Sequence, residues 1–168
     1  MARVLKAAIA CSVIFVGLTL GSATAFAASP SSGSIQVWLT PSFTGHGGKI
    51  LITGAIADYG ITKGKKSGKV VLRKGTITVN LSQFNTAMNN VNPTINPTNC
   101  STSFTTTAPV PIVSGTGAYT GITGSFTLNA QYAAILPKSK SGSCNTSNSA
   151  EPLTQYASII GSGSVTLP

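Results

Sequence analysis

Acidic residues are almost missing from this chain: 2 Asp and Glu stand against 11 Lys and Arg in 168 residues, for a formal charge of +9. Histidine occurs once. Two carboxylates and one imidazole leave little material for a metal centre, a Ser-His-Asp triad or a two-carboxylate glycosidase. Charged residues of either sign make up only 8% of the chain, which excludes a charge-rich disordered segment or a coiled coil. The 18 Gly and 9 Pro argue against long helices throughout. A single domain fits the length.

Only the N-terminus carries a long apolar run. Arg3 and Lys6 precede the stretch Ala7 to Leu20, and Ala25-Phe26-Ala27 supplies a small-x-small cleavage pattern. This predicts a signal peptide over residues 1–27, cut near Ala27, and a secreted product; the compact segment fits bacterial secretion. An uncleaved anchor is the competing reading, but the run is short for a span of ~20 residues. Cys11 lies too early in the run for a lipoprotein cysteine. Residues 28–34 read as a flexible leader and 35–168 as the folded domain. No later run is long enough to cross a bilayer as a helix.

Cys100 and Cys144 remain after cleavage, and an isolated pair in an oxidising compartment is expected to bridge. The loop of about 44 residues would contribute about 3–4 kcal/mol in the chain-entropy account. A metal site would need more ligands than this pair and His46 offer.

What the domain has in abundance is period-two alternation. Ile35, Val37 and Leu39 share one face of a strand, with Gln36, Trp38 and Thr40 on the other. Lys49 to Ala57 reads as a second strand, bent at Gly54. Asp58 to Lys69 reads as a glycine-punctuated basic loop. Val70 to Arg73 and Gly75 to Leu81 are β-type again. Ser82 to Asn89 is the one helical stretch, with Ser82 as its expected N-cap and Leu81, Phe84 and Met88 at helical spacing. An Asn/Pro-rich loop runs to Asn99. Thr102 to Val113 is β-type, but Pro109 and Pro111 require an edge or a bulge. Gly124 to Leu136 is the longest strand, with Phe126, Leu128, Ala130, Tyr132 and Ala134 on one face. Leu153 to Leu167 is a last β stretch, broken at Gly161 and Gly163. Seven or eight strands with hairpin-like connections predict an all-β antiparallel domain: an eight-stranded barrel first, a β-sandwich second.

Gly115-Thr-Gly-Ala-Tyr119-Thr-Gly121-Ile-Thr-Gly124-Ser-Phe126 is the most distinctive segment. Gly115 and Gly117 permit a tight reversal with positive φ, and Tyr119 is placed to turn inward and plug one end of the sheet. The pattern enters a strand rather than a helix and lacks a phosphate-binding Lys, so it is not a nucleotide loop. It resembles the G-[ST]-G-x-[FY]-x-G-x-x-G segment of the allene oxide cyclase-like and dirigent-like barrels, closely over residues 113–136 and loosely over 35–168. The resemblance implies an eight-stranded barrel around an apolar cavity. It also implies an activity that steers ring closure or radical coupling of small hydrophobic molecules, with no metal or organic cofactor. Those enzymes place carboxylates on early strands or at the mouth. Here the first strand carries none, so no catalytic residue transfers.

The remaining candidates each have a plainer alternative. Asp58 and Tyr59 form a possible rim acid and phenol, or Asp58 is a turn residue beside Lys63 or Lys65. Glu151 is a second candidate acid or a strand-edge charge. Asn129 and Gln131 face a cavity or solvent. Trp38, Tyr119, Phe126, Tyr132 and Tyr156 line an apolar pocket or fill a solid core; the small Ala130, Ala133 and Ala134 leave room for a ligand. Lys63, Lys65, Lys66 and Lys69, continued by Arg73 and Lys74, form an anion-attracting loop suited to a cell-envelope polymer, or a solubilising one. Aromatic partners for stacked bases are lacking there, which argues against specific nucleic-acid binding. Three readings follow: a secreted barrel that binds or shields a small hydrophobic molecule, a cofactor-free cyclase or dirigent-like enzyme, and an envelope-attached structural protein. A cavity lined by aromatics with no ionisable group separates the first from the second, a cavity containing Asp58 or Glu151 close to Tyr or Asn favours the second, and a filled interior supports the third.

Overall fold

The computed structural model describes residues 30–42, 47–63, 68–147 and 149–168. The expected signal peptide lies outside these, as do His46, Lys65 and Lys66. The elements in chain order are β1 (Gly33–Thr40), β2 (Lys49–Gly54), β3 (Asp58–Lys63), β4 (Lys69–Leu72), β5 (Thr76–Val79), α1 (Ser82–Asn89), β6 (Thr94–Ile95), β7 (Ser101–Gly115), a 3-10 turn (Gly117–Tyr119), β8 (Thr123–Ile135) and β9 (Thr154–Thr166). Among the described residues α1 is the only α-helix.

Every strand pairing is antiparallel. Strands β1 to β5 pair in sequence, β5 pairs with β7, β7 with β8, β8 with β9, and β9 returns to β1. Eight strands therefore close into an up-and-down barrel, and short β6 lies along the edge of β7. Closure leaves the eight strands without a barrel edge, which is what distinguishes it from the sandwich alternative.

The inward positions follow the alternation. Ile35, Val37, Ile50, Ile52, Val70, Leu72, Ile77, Val79, Phe126, Leu128 and Ala130 are all buried. Outward positions on β7 and β8 include Thr105, Thr107, Thr127, Asn129 and Gln131, and Asn129 donates to the Thr107 hydroxyl across the strands (2.9 Å). Asn129 and Gln131 thus take the outward alternative.

Four sequence expectations change. Asp58–Lys63 is strand β3, not loop. Its alternation is inverted: Asp58, Gly60 and Thr62 point inward while Tyr59 and Ile61 are exposed. A pattern with its apolar side chains outside does not read as a half-buried strand. Secondly, β9 runs unbroken through Gly161 and Gly163, which pair with Leu128 and Phe126. A Cβ on Gly163 would stand 2.2 Å from the Ser125 carbonyl oxygen and 2.5 Å from the Phe126 Cα. The two glycines are the space that the large β8 residues occupy. Gly163→Val is therefore expected to cost about 1–3 kcal/mol by overpacking, read as a lower urea midpoint at unchanged slope. Thirdly, the residue ahead of α1 is Leu81, with no side-chain cap, and Ser82 is already helical. The Asn80 carboxamide oxygen accepts from the Ser82 N–H instead (2.9 Å). The leader expected to end at Ser34 also gives its last two residues to β1, where Gly33 and Ser34 pair with Val165 and Ser164.

The prolines sit as their chemistry demands. Thr78 pairs with Ser114 and Val79 with Ile112, so Val113 is an extra residue in β7, immediately beyond Pro111 and Ile112. Pro109 lies past the last pair with β5 and needs no donor on that side.

Strands β7, β8 and β9 outrun their partners. Strand β5 pairs with β7 only from Ile112 onward, and β1 pairs with β9 only over Ile159–Val165. The excess forms a three-stranded extension beyond one end of the barrel. At its tip a disulfide joins Cys100 to Cys144, with Cα atoms 5.3 Å apart, as the cysteine pair predicts. The Asn-rich loop earns its composition here: Asn96 Oδ1 accepts from the Thr98 N–H (2.9 Å) and Asn99 Oδ1 from the Ser101 N–H (3.0 Å).

Candidate functional site

The barrel has two unlike ends. At one, β1, β3, β5 and β8 begin and β2, β4, β7 and β9 finish. The segment Gly115 to Gly124 crosses this end, turning through the 3-10 turn Gly117–Tyr119. Gly117 has φ +63°, and a Cβ on Gly115 would lie 2.1 Å from the Tyr119 carbonyl oxygen. The reversal thus needs positive φ at Gly117 and close approach at Gly115, where the sequence assigned positive φ to both. Tyr119 is fully buried, the plug its position predicts.

Its phenol ends on an acid. Tyr119 donates from Oη to Asp58 Oδ2 at 2.6 Å. The backbone N–H of Lys74 also donates to Oδ2 (3.0 Å) and that of Tyr59 to Oδ1 (2.8 Å). Burial pushes the Asp58 carboxyl up, but the Tyr119 hydroxyl and the N–H groups of Lys74, Tyr59 and Arg73 outweigh it, and the pKa falls below the ordinary carboxylate value. Burial pushes the Tyr119 phenol up, and the bond to Asp58 and its charge push it further. Asp58 therefore stays an acceptor and Tyr119 a donor. The pair is a closed, satisfied lock, with its inverted strand explained: the inward slot of β3 holds the carboxylate. The phenol facing Asp58 is Tyr119, while the Tyr59 ring lies on the outer wall, where Arg73 Nη1 donates to its Oη (2.6 Å).

The other end is hollow. A cavity of about 360 Å³ opens between the strands and α1. Its walls are inward residues such as Val37, Ile50, Val70, Val79, Phe126 and Leu128. Leu81, just ahead of α1, and Phe84 and Met88 of the helix form its lid. Polar groups are confined to a few positions: Ser42, Thr62, Asn85 and Lys69, with Pro41, Gly47, Gly48 and Gly68 in the same lining. Thr62 is tied in place, since its Oγ1 accepts from the Gly48 N–H (2.9 Å). Among the described residues Lys69 is the one ionisable group in the lining, and neither Asp58 nor Glu151 belongs to it.

Of the five aromatic pocket candidates only Phe126 lines this cavity. Trp38 lies on the outer wall, 44% exposed. Tyr119 belongs to the sealed end. Tyr132 sits on the extension, stacked on Phe104 with centroids 5.2 Å apart and donating to Gln155 Oε1 (3.0 Å). Tyr156 is exposed beside a shallow tip groove of about 430 Å³, lined also by Ala133 and Thr154. Glu151 is exposed in the connection leading to β9. Of the basic loop, Lys63 and Lys69 face each other across β3 and β4. The helix lid was legible only as spacing; its pocket role needed the barrel beneath it.

Among the described residues no three His, Cys, Asp or Glu side chains gather as a metal site, and no helix is long and apolar enough to cross a membrane. Compared with family models, with curated proteins and with solved structures, the chain matches none.

Proposed function

We propose that this protein binds or shields one small hydrophobic molecule in the helix-lidded half of its barrel. The observation that carries the reading is the cavity itself: about 360 Å³, walled by aliphatic and aromatic side chains, with its few polar groups localised. That volume suits a small organic ligand, and an eight-stranded barrel has room for one. Binding is favoured over turnover because both acids of the chain lie outside the lining and Asp58 is committed to Tyr119. Membership among the allene oxide cyclase-like and dirigent-like barrels is part of the same proposal, supported by the closed antiparallel topology and by the glycine segment that seals one end. So is export from the cytoplasm, supported by the N-terminal pattern and the Cys100–Cys144 bond.

Titration with a neutral naphthylamine dye tests it. Saturable binding at one site per chain is expected. Leu39→Trp combined with Met88→Trp fills the lumen from wall and lid and should weaken the dye at least about tenfold, by displacing the apolar volume it occupies. Circular dichroism checks that the double variant still folds. No saturable binding, or binding indifferent to filling in a folded variant, overturns the reading.

A further inference from the structure

The outer wall breaks the rule that its own strands set elsewhere. On β7 and β8 the outward side chains are chiefly hydroxyls and amides. On the neighbouring quarter of the barrel they are Ile160, Trp38, Leu51 and Tyr59. These four are directly paired across β9, β1, β2 and β3, so they form one row about 14 Å long. Each is between 44% and 53% exposed. Single exposed apolar residues are ordinary, but four in one register row make a continuous strip.

The row has a polar and a cationic margin. Towards the sealed end the next outward positions are Ser162, Gln36 and Thr53. Towards the helix end they are Thr40, Lys49 and Ile61, followed by Lys63 and Lys69. Arg73 closes the row beyond Tyr59, its guanidinium carbon 5.4 Å from the ring centroid. Lys63 and Lys69 are direct cross-strand partners, so the two cationic positions stand side by side at this margin. Asp58, the one acid on β1 to β4, points inward.

We infer that this wall docks on a bilayer surface containing anionic lipid. The row would enter the headgroup layer with Trp38 and Leu51 at the crest, while Lys49, Lys63 and Arg73 meet lipid phosphates. Trp and Tyr rings favour that interface, and each surface cation adds attraction to an anionic leaflet. A polyanionic polymer would satisfy the lysines but leave the apolar row wet. A second copy across a two-fold axis would set cation against cation, because the wall offers no acid to complement itself.

Trp38 is the only tryptophan of the chain, so its emission reads the docking directly. The purified protein is mixed with vesicles of phosphatidylcholine alone and of phosphatidylcholine with phosphatidylglycerol. Cosedimentation and a blue shift of Trp38 are expected with the anionic vesicles only, and added salt should weaken both. Leu51→Ser and Ile160→Ser should each weaken binding roughly tenfold, since each removes an aliphatic side chain from the inserted strip. Lys49→Gln should weaken it about fivefold and flatten the salt dependence. All three positions are exposed, so unchanged thermal melting is the control. Wild type and variants share one N-terminus, so binding driven by a retained leader would be blind to the substitutions and would overturn the inference. So would equal binding to neutral vesicles, no binding to anionic ones, or a Trp38 shift that follows protein concentration without lipid, which assigns the wall to self-association. Dye uptake by the lumen is independent of every one of these outcomes.

Discussion

Tyr119→Phe should lower the stability of the protein by about 2–3 kcal/mol, although it removes a single oxygen. The Tyr119 hydroxyl donates to a carboxylate that is 6% exposed. Hydrogen bonds to ionised groups contribute more than neutral ones, and a buried acceptor that loses its donor keeps its desolvation cost. The backbone donors, those of Lys74 and Tyr59 among them, remain, so Asp58 is weakened rather than stranded. Urea melts at neutral pH measure the loss.

The pH profile gives this prediction its sign. The folded Asp58 carboxyl titrates below its ordinary 3.8. Its contribution is thus present above pH 3.8 and is lost as pH falls below that value towards the folded pKa, because the unfolded chain takes up the proton first. Tyr119 works at the other limb. Its folded pKa is raised above the ordinary 10.0, so its contribution is intact below pH 10 and declines above it, as only the unfolded phenol ionises readily. Tyr119→Phe should remove the alkaline decline that this residue causes and shallow the acid one. Asp58→Asn should remove the carboxyl's share of the acid limb altogether, at a cost at neutral pH. A wild-type acid limb in both variants would falsify the lock.

Breaking the Cys100–Cys144 bond should cost about 4 kcal/mol, the chain-entropy contribution of a loop of this length. The bond lies on the extension rather than on the barrel wall. It ties the turn before β7 to the loop between β8 and β9, where the chain is otherwise held by Asn-centred turns, the isolated bridge between Lys138 and Cys144, and backbone hydrogen bonds such as that from the Leu136 N–H to the Cys100 carbonyl (2.9 Å). Hydrogen exchange in the reduced protein should therefore rise first around residues 94–103 and 135–147 and later in β1 to β5. Equal denaturation midpoints with and without reductant would contradict the expected effect. Two free thiols in the denatured, unreduced protein would remove the bond itself.

The same strands show why some positions could be read from the sequence and others could not. Ile35, Val37, Ile77, Val79, Phe126 and Leu128 face the lumen as their alternation predicts. Burying one face of a strand leaves a local mark, because neighbouring side chains point to opposite sides. Strand β3 carries the same mark inverted: its inward slots hold a carboxylate, a glycine and a threonine. Asp58 belongs inside only because Tyr119, 61 residues later, arrives to donate to it. Similarly, Gly161 and Gly163 resemble breaks until the register sets them against Leu128 and Phe126.

The amino-acid sequence alone determined the all-β class, the inward face of most strands, the cysteine pair and the inward turn of Tyr119, since each depends on local period, local backbone freedom or residue chemistry. Tertiary structure decided which barrel end is sealed and which is hollow, that the Phe84 helix roofs the cavity, and that Trp38 joins an outer strip instead of a pocket. Those outcomes depend on strand register and closure. Register brings together residues far apart in the chain, and no local pattern records which of them will meet.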